Sequence, residues 1–181
     1  MKILFCDNSL QDFLNFRIDI VSHLFHKRGF EIVIAAPDNL KLGLEKEYES
    51  FTYIPTKLSR GGMNPFKDFR YFLQLAKIYR KERPDHIFHY TIKPNIYGAV
   101  AAKLNGVPTT SIITGLGYAF FHKDLKSKVG RMLYKLALKL PDKVIVLNDE
   151  IYDYVKNKVN LPDEKIIRLR GGEGVNLNRY K

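Results

Sequence analysis

A hydroxyl, an ammonium and an amide fall at every second position in Thr91-Ile92-Lys93-Pro94-Asn95, just after a short apolar run ending in His89-Tyr90. Gathered ahead of a helix, these groups and the free N–H groups of its first turn would address one spot. Pro94 suits the first helical position, where its missing N–H would have no partner anyway. Lys93 adds positive charge at the positive end of the helix dipole, a cost that a bound phosphate or polyhydroxyl ligand would offset. His89, near the carboxyl end of the run, joins the set as a ligand contact. His86 stands three residues earlier and so on the opposite face of a strand, which rules the two imidazoles out as a metal pair.

Three further segments carry unusual chemistry. Thr114-Gly115-Leu116-Gly117 is followed by Tyr118-Ala119-Phe120-Phe121; the glycines let backbone approach a ligand, and aromatics outside any element suit a lid or an apolar partner. Ser59-Arg60-Gly61-Gly62 is either a surface turn or a cationic clamp over an anion. Asp7-Asn8-Ser9 leads into Asn15-Phe16-Arg17, and its side chains serve either as helix caps or as contacts to a phosphate or sugar hydroxyl. The absence of any glycine between Asp7 and Arg17 counts against a dinucleotide-binding turn. No zinc-spaced Cys/His cluster, nucleophile elbow or Walker loop occurs, and no metal is expected.

Residues 123–140 carry Lys123, Lys126, Lys128, Arg131, Lys135 and Lys139 against one acid, Asp124. Leu125, Val129, Met132, Leu133, Leu136 and Leu140 form an apolar stripe. The segment is either an ordinary amphipathic helix with a solvated basic face, or a face that rests on anionic lipid with Phe120 and Phe121 as wedges.

The elements that position these loops alternate strictly. Apolar runs at 2–6, 31–36, 51–56, 85–90, 109–114, 143–147 and 165–169 read as strands, with the third at an edge because Pro55 cannot donate to a ladder. Helical periodicity fills 10–28, 64–83, 94–105, 123–140 and 150–159, with a shorter helix at 42–50. In the helix at 64–83, Phe69, Phe72, Leu73, Ala76 and Tyr79 make the inner face. The pattern predicts an α/β fold, a Rossmann-like, doubly wound and mainly parallel sheet of about seven strands in one domain over 1–181. Ligands on such sheets sit at the carboxyl ends of the strands, where strand order switches.

Composition narrows the partners. The chain is 45% hydrophobic, and its 30 Lys and Arg against 19 Asp and Glu give a net charge of +11, which favours anionic partners without choosing among them. The lysines are spread over several helices and no nucleic-acid motif occurs, so nucleic acid is not expected. Cys6 reads as a buried, reduced thiol. With no secretory signal and no apolar run near the ~18 residues needed to span a bilayer, a cytoplasmic protein, at most peripheral on the membrane, is expected.

In these loops the sequence resembles the GT4-type glycosyltransferases, specifically the bacterial branch that extends lipid-linked sugars for surface polysaccharides and glycoproteins. The resemblance is carried by Asn15-Phe16-Arg17, residues 65–84, Ile92-Lys93-Pro94-Asn95-Ile96-Tyr97-Gly98, Thr114-Gly115-Leu116-Gly117-Tyr118 and Gly172-Glu173-Gly174-Val175-Asn176. It implies the N-terminal, acceptor-binding half of a GT-B fold in a retaining enzyme. The nucleotide-sugar is then a co-substrate held by a C-terminal donor-binding domain or subunit, with no cofactor implied. It implies acceptor contacts from His89, Thr91, Lys93, Asn95, Arg17, Arg60, Thr114, Gly115 and Gly117. Asn8, Ser9 and Gly174 would face the donor, and Phe120, Phe121, Lys126 and Arg131 an anionic membrane surface bearing the lipid-linked sugar.

Two departures limit the correspondence: many relatives have glycines where Asp7-Asn8-Ser9 stands, and some have a histidine where Thr114-Gly115 stands. No catalytic base is assigned. The Glu-rich donor-binding motif of the second domain does not occur, so the chain is expected to be half of a longer or split enzyme and inactive alone. A basic nucleic-acid-binding module and a stand-alone small-molecule α/β enzyme remain the alternatives.

Overall fold

A computed structural model describes residues 1–38, 48–59, 62, 64–117, 124–169 and 172–174. Seven strands, β1 (Lys2–Cys6), β2 (Glu31–Ala36), β3 (Thr52–Pro55), β4 (His86–Tyr90), β5 (Thr109–Ile113), β6 (Lys143–Val146) and β7 (Ile166–Arg168), form one sheet. Every neighbouring pair is parallel, in the order β3-β2-β1-β4-β5-β6-β7. β4 lies at the centre with β1 beside it, and the order reverses between the two. Central strands buried on both faces read as continuous apolar runs, as KILFC and EIVIAA do. Pro55 pairs with Ala36 on the outermost strand, where its missing donor costs no ladder bond.

Alternation along β1 divides the core. Ile3 and Phe5 pack with Phe13, Ile18 and Ile34 under α1 (Leu10–Phe16) and α2 (Ile18–Arg28). Leu4 and Cys6 pack with Tyr71, Leu75 and Ile87 under α3 (Pro65–Glu82). A third cluster joins β5 and β6 to α5 (Leu125–Ala137) and α6 (Asp149–Asp153), through Tyr134, Val146 and Ile151 among others. Between these, a π-helical turn at Pro94–Gly98 runs into α4 (Ala99–Leu104). Cys6 is buried and free.

The single helix expected over 10–28 is broken at Arg17, which ends α1 and begins α2. α3 is rotated from the expected face: Asp68, Tyr71, Leu75, Ile78 and Tyr79 point inward, while Phe69 and Leu73 are exposed. Aromatic and polar residues share both faces of that helix, and the sheet selects the face bearing Tyr71, whose hydroxyl lies 3.5 Å from the Cys6 thiol. The helix expected at 42–50 lies largely outside the described residues.

Candidate functional site

Polar residues converge where β1 and β4 part. After β4 the chain turns at Thr91, whose φ of 68° is unusual for a β-branched residue and costs about 1–2 kcal/mol. The turn starts a helix directly: Asn95 N–H donates to the Thr91 carbonyl at 3.0 Å, and Ile92 and Lys93 are already helical. Pro94 is therefore not the first helical residue but lies within the first turn, where a missing N–H is still tolerated. The π-helical turn that follows is the kind of local widening often found at functional sites.

The expectation that a bound ligand must offset the Lys93 charge is corrected. That charge at the helix start is answered within the fold: Nζ donates to Asp68 Oδ1 at 2.7 Å and to the Ser59 carbonyl at 2.8 Å. Asp68, in the first turn of α3, also accepts the Asn64 N–H through Oδ2 at 3.2 Å. Burial, and then the Asp68 carboxylate beside it, push the Tyr97 phenol up to about 12. Thr91 Oγ1 is buried without a hydrogen-bond partner.

Lys93, Asp68, Thr91 and Tyr97 line a cavity of about 920 Å³, closed on the other side by Thr114, Gly115, Gly117 and α5. Asn8 reaches it from the loop after β1, and Lys126 stands exposed at its rim. Gly117 has φ of 66°, and a Cβ there would come within 2.5 Å of Ile92 Cδ1. The Gly-x-Gly segment thus passes close to the helix bearing Lys93.

Other expected contacts do not reach this cavity. His89 is fully buried, its Nε2 3.0 Å from the Tyr79 hydroxyl, and desolvation lowers its pKa to about 3, so it is a neutral core residue. Asn95 is equally buried; its Nδ2 donates to the Ile112 carbonyl at 3.0 Å and to the Tyr134 hydroxyl at 3.4 Å. It braces the cavity wall instead of facing it.

Arg17 is sealed among its own partners. Nη1 donates to the Asp12 carbonyl at 3.0 Å, Nε lies 3.4 Å from Asp7 Oδ2, and Nη2 lies 3.5 Å from Glu173. Ser9 acts as the cap of α1, accepting the Asp12 N–H at 3.1 Å, and is not turned outward. Gly174 is exposed and away from the cavity lining. Arg131 is half-buried off the lining, and Arg60, Phe120 and Phe121 lie outside the described residues.

Sequence reasoning missed Asp68, Tyr97 and Tyr134. An acid in the first turn of a helix reads as a response to the helix dipole, and only the tertiary fold reveals that Lys93 is its partner.

Two helices flanking the cavity carry outward apolar residues. On α5, Leu125, Val129, Met132 and Leu136 are exposed while Ser127, Tyr134 and Ala137 turn inward. The expected stripe is thus mostly the outer face, set among Lys126, Lys128 and Lys135. On α3, Phe66 is 83% exposed and Phe69 59%, beside Lys67 and Arg70. Among the described residues no helix is long and apolar enough to cross a membrane, and no three His, Cys, Asp or Glu side chains are placed to hold a metal ion.

A parallel sheet with this order, opening into a cavity at its switch point, is the Rossmann-like layer that forms half of a GT-B enzyme. The chain belongs to the glycosyl transferase 4-like family, whose model matches residues 2–148. It is 26% identical over 185 residues to N,N'-diacetylbacillosaminyl-diphospho-undecaprenol alpha-1,3-N-acetylgalactosaminyltransferase of Campylobacter jejuni, covering 99% of this chain and 48% of that protein. It is 32% identical over 132 residues to UDP-Gal:alpha-D-GlcNAc-diphosphoundecaprenol alpha-1,3-galactosyltransferase of Escherichia coli, covering 71% of this chain and 32% of that one. The chain thus spans about half the length of the first relative and a third of the second.

The fold matches MurG of Acinetobacter baumannii with a TM-score of 0.63 at 12% identity, over 94% of this chain and 45% of that one. It matches UDP-GlcNAc 2-epimerase of Methanocaldococcus jannaschii equally, with a TM-score of 0.63 at 14% identity, over 93% and 45%.

Proposed function

We propose that the chain is the acceptor-binding half of a retaining glycosyltransferase that adds a sugar, from a nucleotide-sugar, to a glycan carried on a polyprenyl diphosphate. The observation that carries this reading is the cavity at the sheet's switch point, where Thr91, Lys93, Thr114 and two glycine backbones meet. Hydroxyls, a paired ammonium and carboxylate and close backbone suit the hydroxyls of a sugar, and Gly115, where a Cβ would meet nothing within 4 Å, permits near approach. Both relatives named above act, by name, on undecaprenyl-diphosphate-linked sugars.

The donor would be held by a second domain or subunit meeting the carboxyl edge near Asn8. In a retaining transfer much of the barrier is lowered by electrostatic stabilisation of the leaving diphosphate, so this half contributes position more than proton transfer. No metal or cofactor enters the reading, and neither does nucleic acid.

A membrane-anchored acceptor must be met at the bilayer. The outward Leu125, Met132 and Leu136 of α5, ringed by lysines, suit an anionic surface on the cytoplasmic side, with apolar side chains entering the interface and cations meeting headgroups. Sedimentation with vesicles tests the reading. Binding should require anionic lipid and strengthen when the vesicles carry a polyprenyl-diphosphate sugar, while UDP-sugars neither bind nor compete. Tight UDP-sugar binding, or indifference to both lipids, would refute it.

A further inference from the structure

Asp68 has no place in the account so far beyond its pairing with Lys93. Its side chain is 4% exposed and Lys93's 13%, so both charges have been taken largely out of water. A buried ion pair of this kind is weak evidence for stability, because apolar side chains of similar volume often serve the fold as well or better. The pair is nevertheless set into the wall of the cavity of about 920 Å³ described above, beside Thr91 and Tyr97.

Its chemistry is that of a hydroxyl reader, not an anion clamp. Lys93 and Asp68 neutralise each other, which removes the net positive charge that would draw a phosphate to this wall. A carboxylate offers about four acceptor positions. Lys93 Nζ takes one on Oδ1, the Asn64 N–H one on Oδ2 and the Tyr97 phenol a third, leaving about one acceptor position open among the described residues. A sugar hydroxyl donates one hydrogen bond and accepts others, so an ammonium and a carboxylate held 2.7 Å apart can satisfy it in both senses. Two residues before Lys93, the Thr91 Oγ1 is buried, without a hydrogen-bond partner and held on strained backbone, which is expected of a group awaiting a ligand.

Resting on the acceptor-half reading above, we infer that Asp68, with Lys93 and Thr91, recognises hydroxyls of the acceptor's terminal sugar, and that the diphosphate lies elsewhere along the cavity. Asp68 is then a specificity-determining residue: it distinguishes a glycosylated lipid diphosphate from a bare one. A site built to hydrogen-bond a hydroxyl discriminates strongly against a ligand lacking it, because its buried polar groups are left unpaired.

The experiment titrates the full chain with two soluble probes, farnesyl diphosphate and farnesyl diphosphate carrying one N-acetylglucosamine. The unsubstituted protein should bind the glycosylated probe at least about 10-fold more tightly than the bare one. Asp68→Asn should weaken the glycosylated probe about 10- to 100-fold relative to the bare probe, whose own affinity does not fall because the freed Lys93 charge can only favour a diphosphate. The double variant Asp68→Asn/Lys93→Met leaves no lone buried charge to unfold the wall, and should show the same loss of discrimination. Equal weakening of both probes in the two variants would mark the pair as structural and overturn the inference. So would discrimination that survives in them, or its absence from the unsubstituted protein while both probes bind. Failure of the unsubstituted protein to bind either probe would remove the acceptor-half reading itself, and this inference with it.

Discussion

Arg17 Nε lies 3.4 Å from Asp7 Oδ2, and its guanidinium stands 4.8 Å above the centre of the Tyr90 ring, so two buried charges close the carboxyl end of β1 against that of β4. The contact is an ion pair without hydrogen-bond alignment, since neither of those two atoms has a hydrogen-bond partner. Glu173 approaches Arg17 from far along the chain, which ties the segment after β7 to the junction of α1 and α2. None of this is apparent from Asp7-Asn8-Ser9 as a sequence, where it reads as a polar turn.

That cluster gives a pH signature. Burial raises Asp7 from 3.8 to about 6, against the opposing pull of Arg17. The folded state therefore holds this proton more tightly than the unfolded chain, and the contribution to stability falls as pH rises from 3.8 through 6. His89 acts in the opposite sense: with its value lowered from 6.5 to about 3, the unfolded chain binds the proton first, and stability falls as pH drops below 6.5. Between pH 4 and 6 the two nearly cancel. Asp7→Asn leaves the histidine unopposed, so urea denaturation of that variant should show a pH slope steeper by up to about 1.4 kcal/mol per unit. An unchanged slope would contradict the assignment.

Gly98 is held to glycine by His89. A Cβ there would lie 2.5 Å from both Cδ2 and Nε2 of the imidazole and 3.1 Å from the Tyr79 hydroxyl. Gly98→Ala should cost about 1–3 kcal/mol by overpacking. The penalty should shrink when combined with His89→Ala, a coupling that denaturation of the four proteins in the cycle reads directly.

Asn95 holds the helix after β4 to the end of β5. Asn95→Ala leaves the buried Ile112 carbonyl without this donor and should destabilise the fold by about 1–3 kcal/mol. Asn95→Asp should be at least as damaging, because it sets a carboxylate against that carbonyl. Thermal melts rank the two.

The outer face of α5 predicts a separation of stability from membrane binding. Leu125, Met132 and Leu136 are 76%, 56% and 56% exposed, so replacing them together with serine should alter stability by less than about 0.5 kcal/mol per site. Vesicle binding should weaken at least tenfold in the same protein. Retained binding would move the docking surface elsewhere.

Much of the fold is legible in the sequence because each signal is local. Continuous apolar runs mark β1 and β2, Pro55 marks the edge, and Asn64-Pro65 marks the start of α3 as cap and first residue. The facing of α3 and α5 is not local. Both carry apolar residues all round, so periodicity picks Phe69 and Leu73 as core while the sheet takes Tyr71 and Leu75. The site divides the same way. Thr91, Lys93, Thr114, Gly115 and Gly117 are found by loop position and reach the cavity, whereas His89, Asn95 and Arg17 share those loops but turn inward. Which way a loop residue turns depends on partners far along the chain, as Asp68 does for Lys93.

The central claim, that this half receives a lipid-linked sugar at the switch point, is tested most directly by amide-resolved NMR of the 21.0 kDa chain during titration with a short polyprenyl-diphosphate sugar. Shifts should concentrate at Thr91, Ile92, Lys93, Thr114, Gly115 and Gly117, and UDP-sugar should leave those amides unmoved. Shifts confined to the opposite end of the sheet, around Lys103, Gly106 and Val107, or a response at the switch point to UDP-sugar alone, would contradict it.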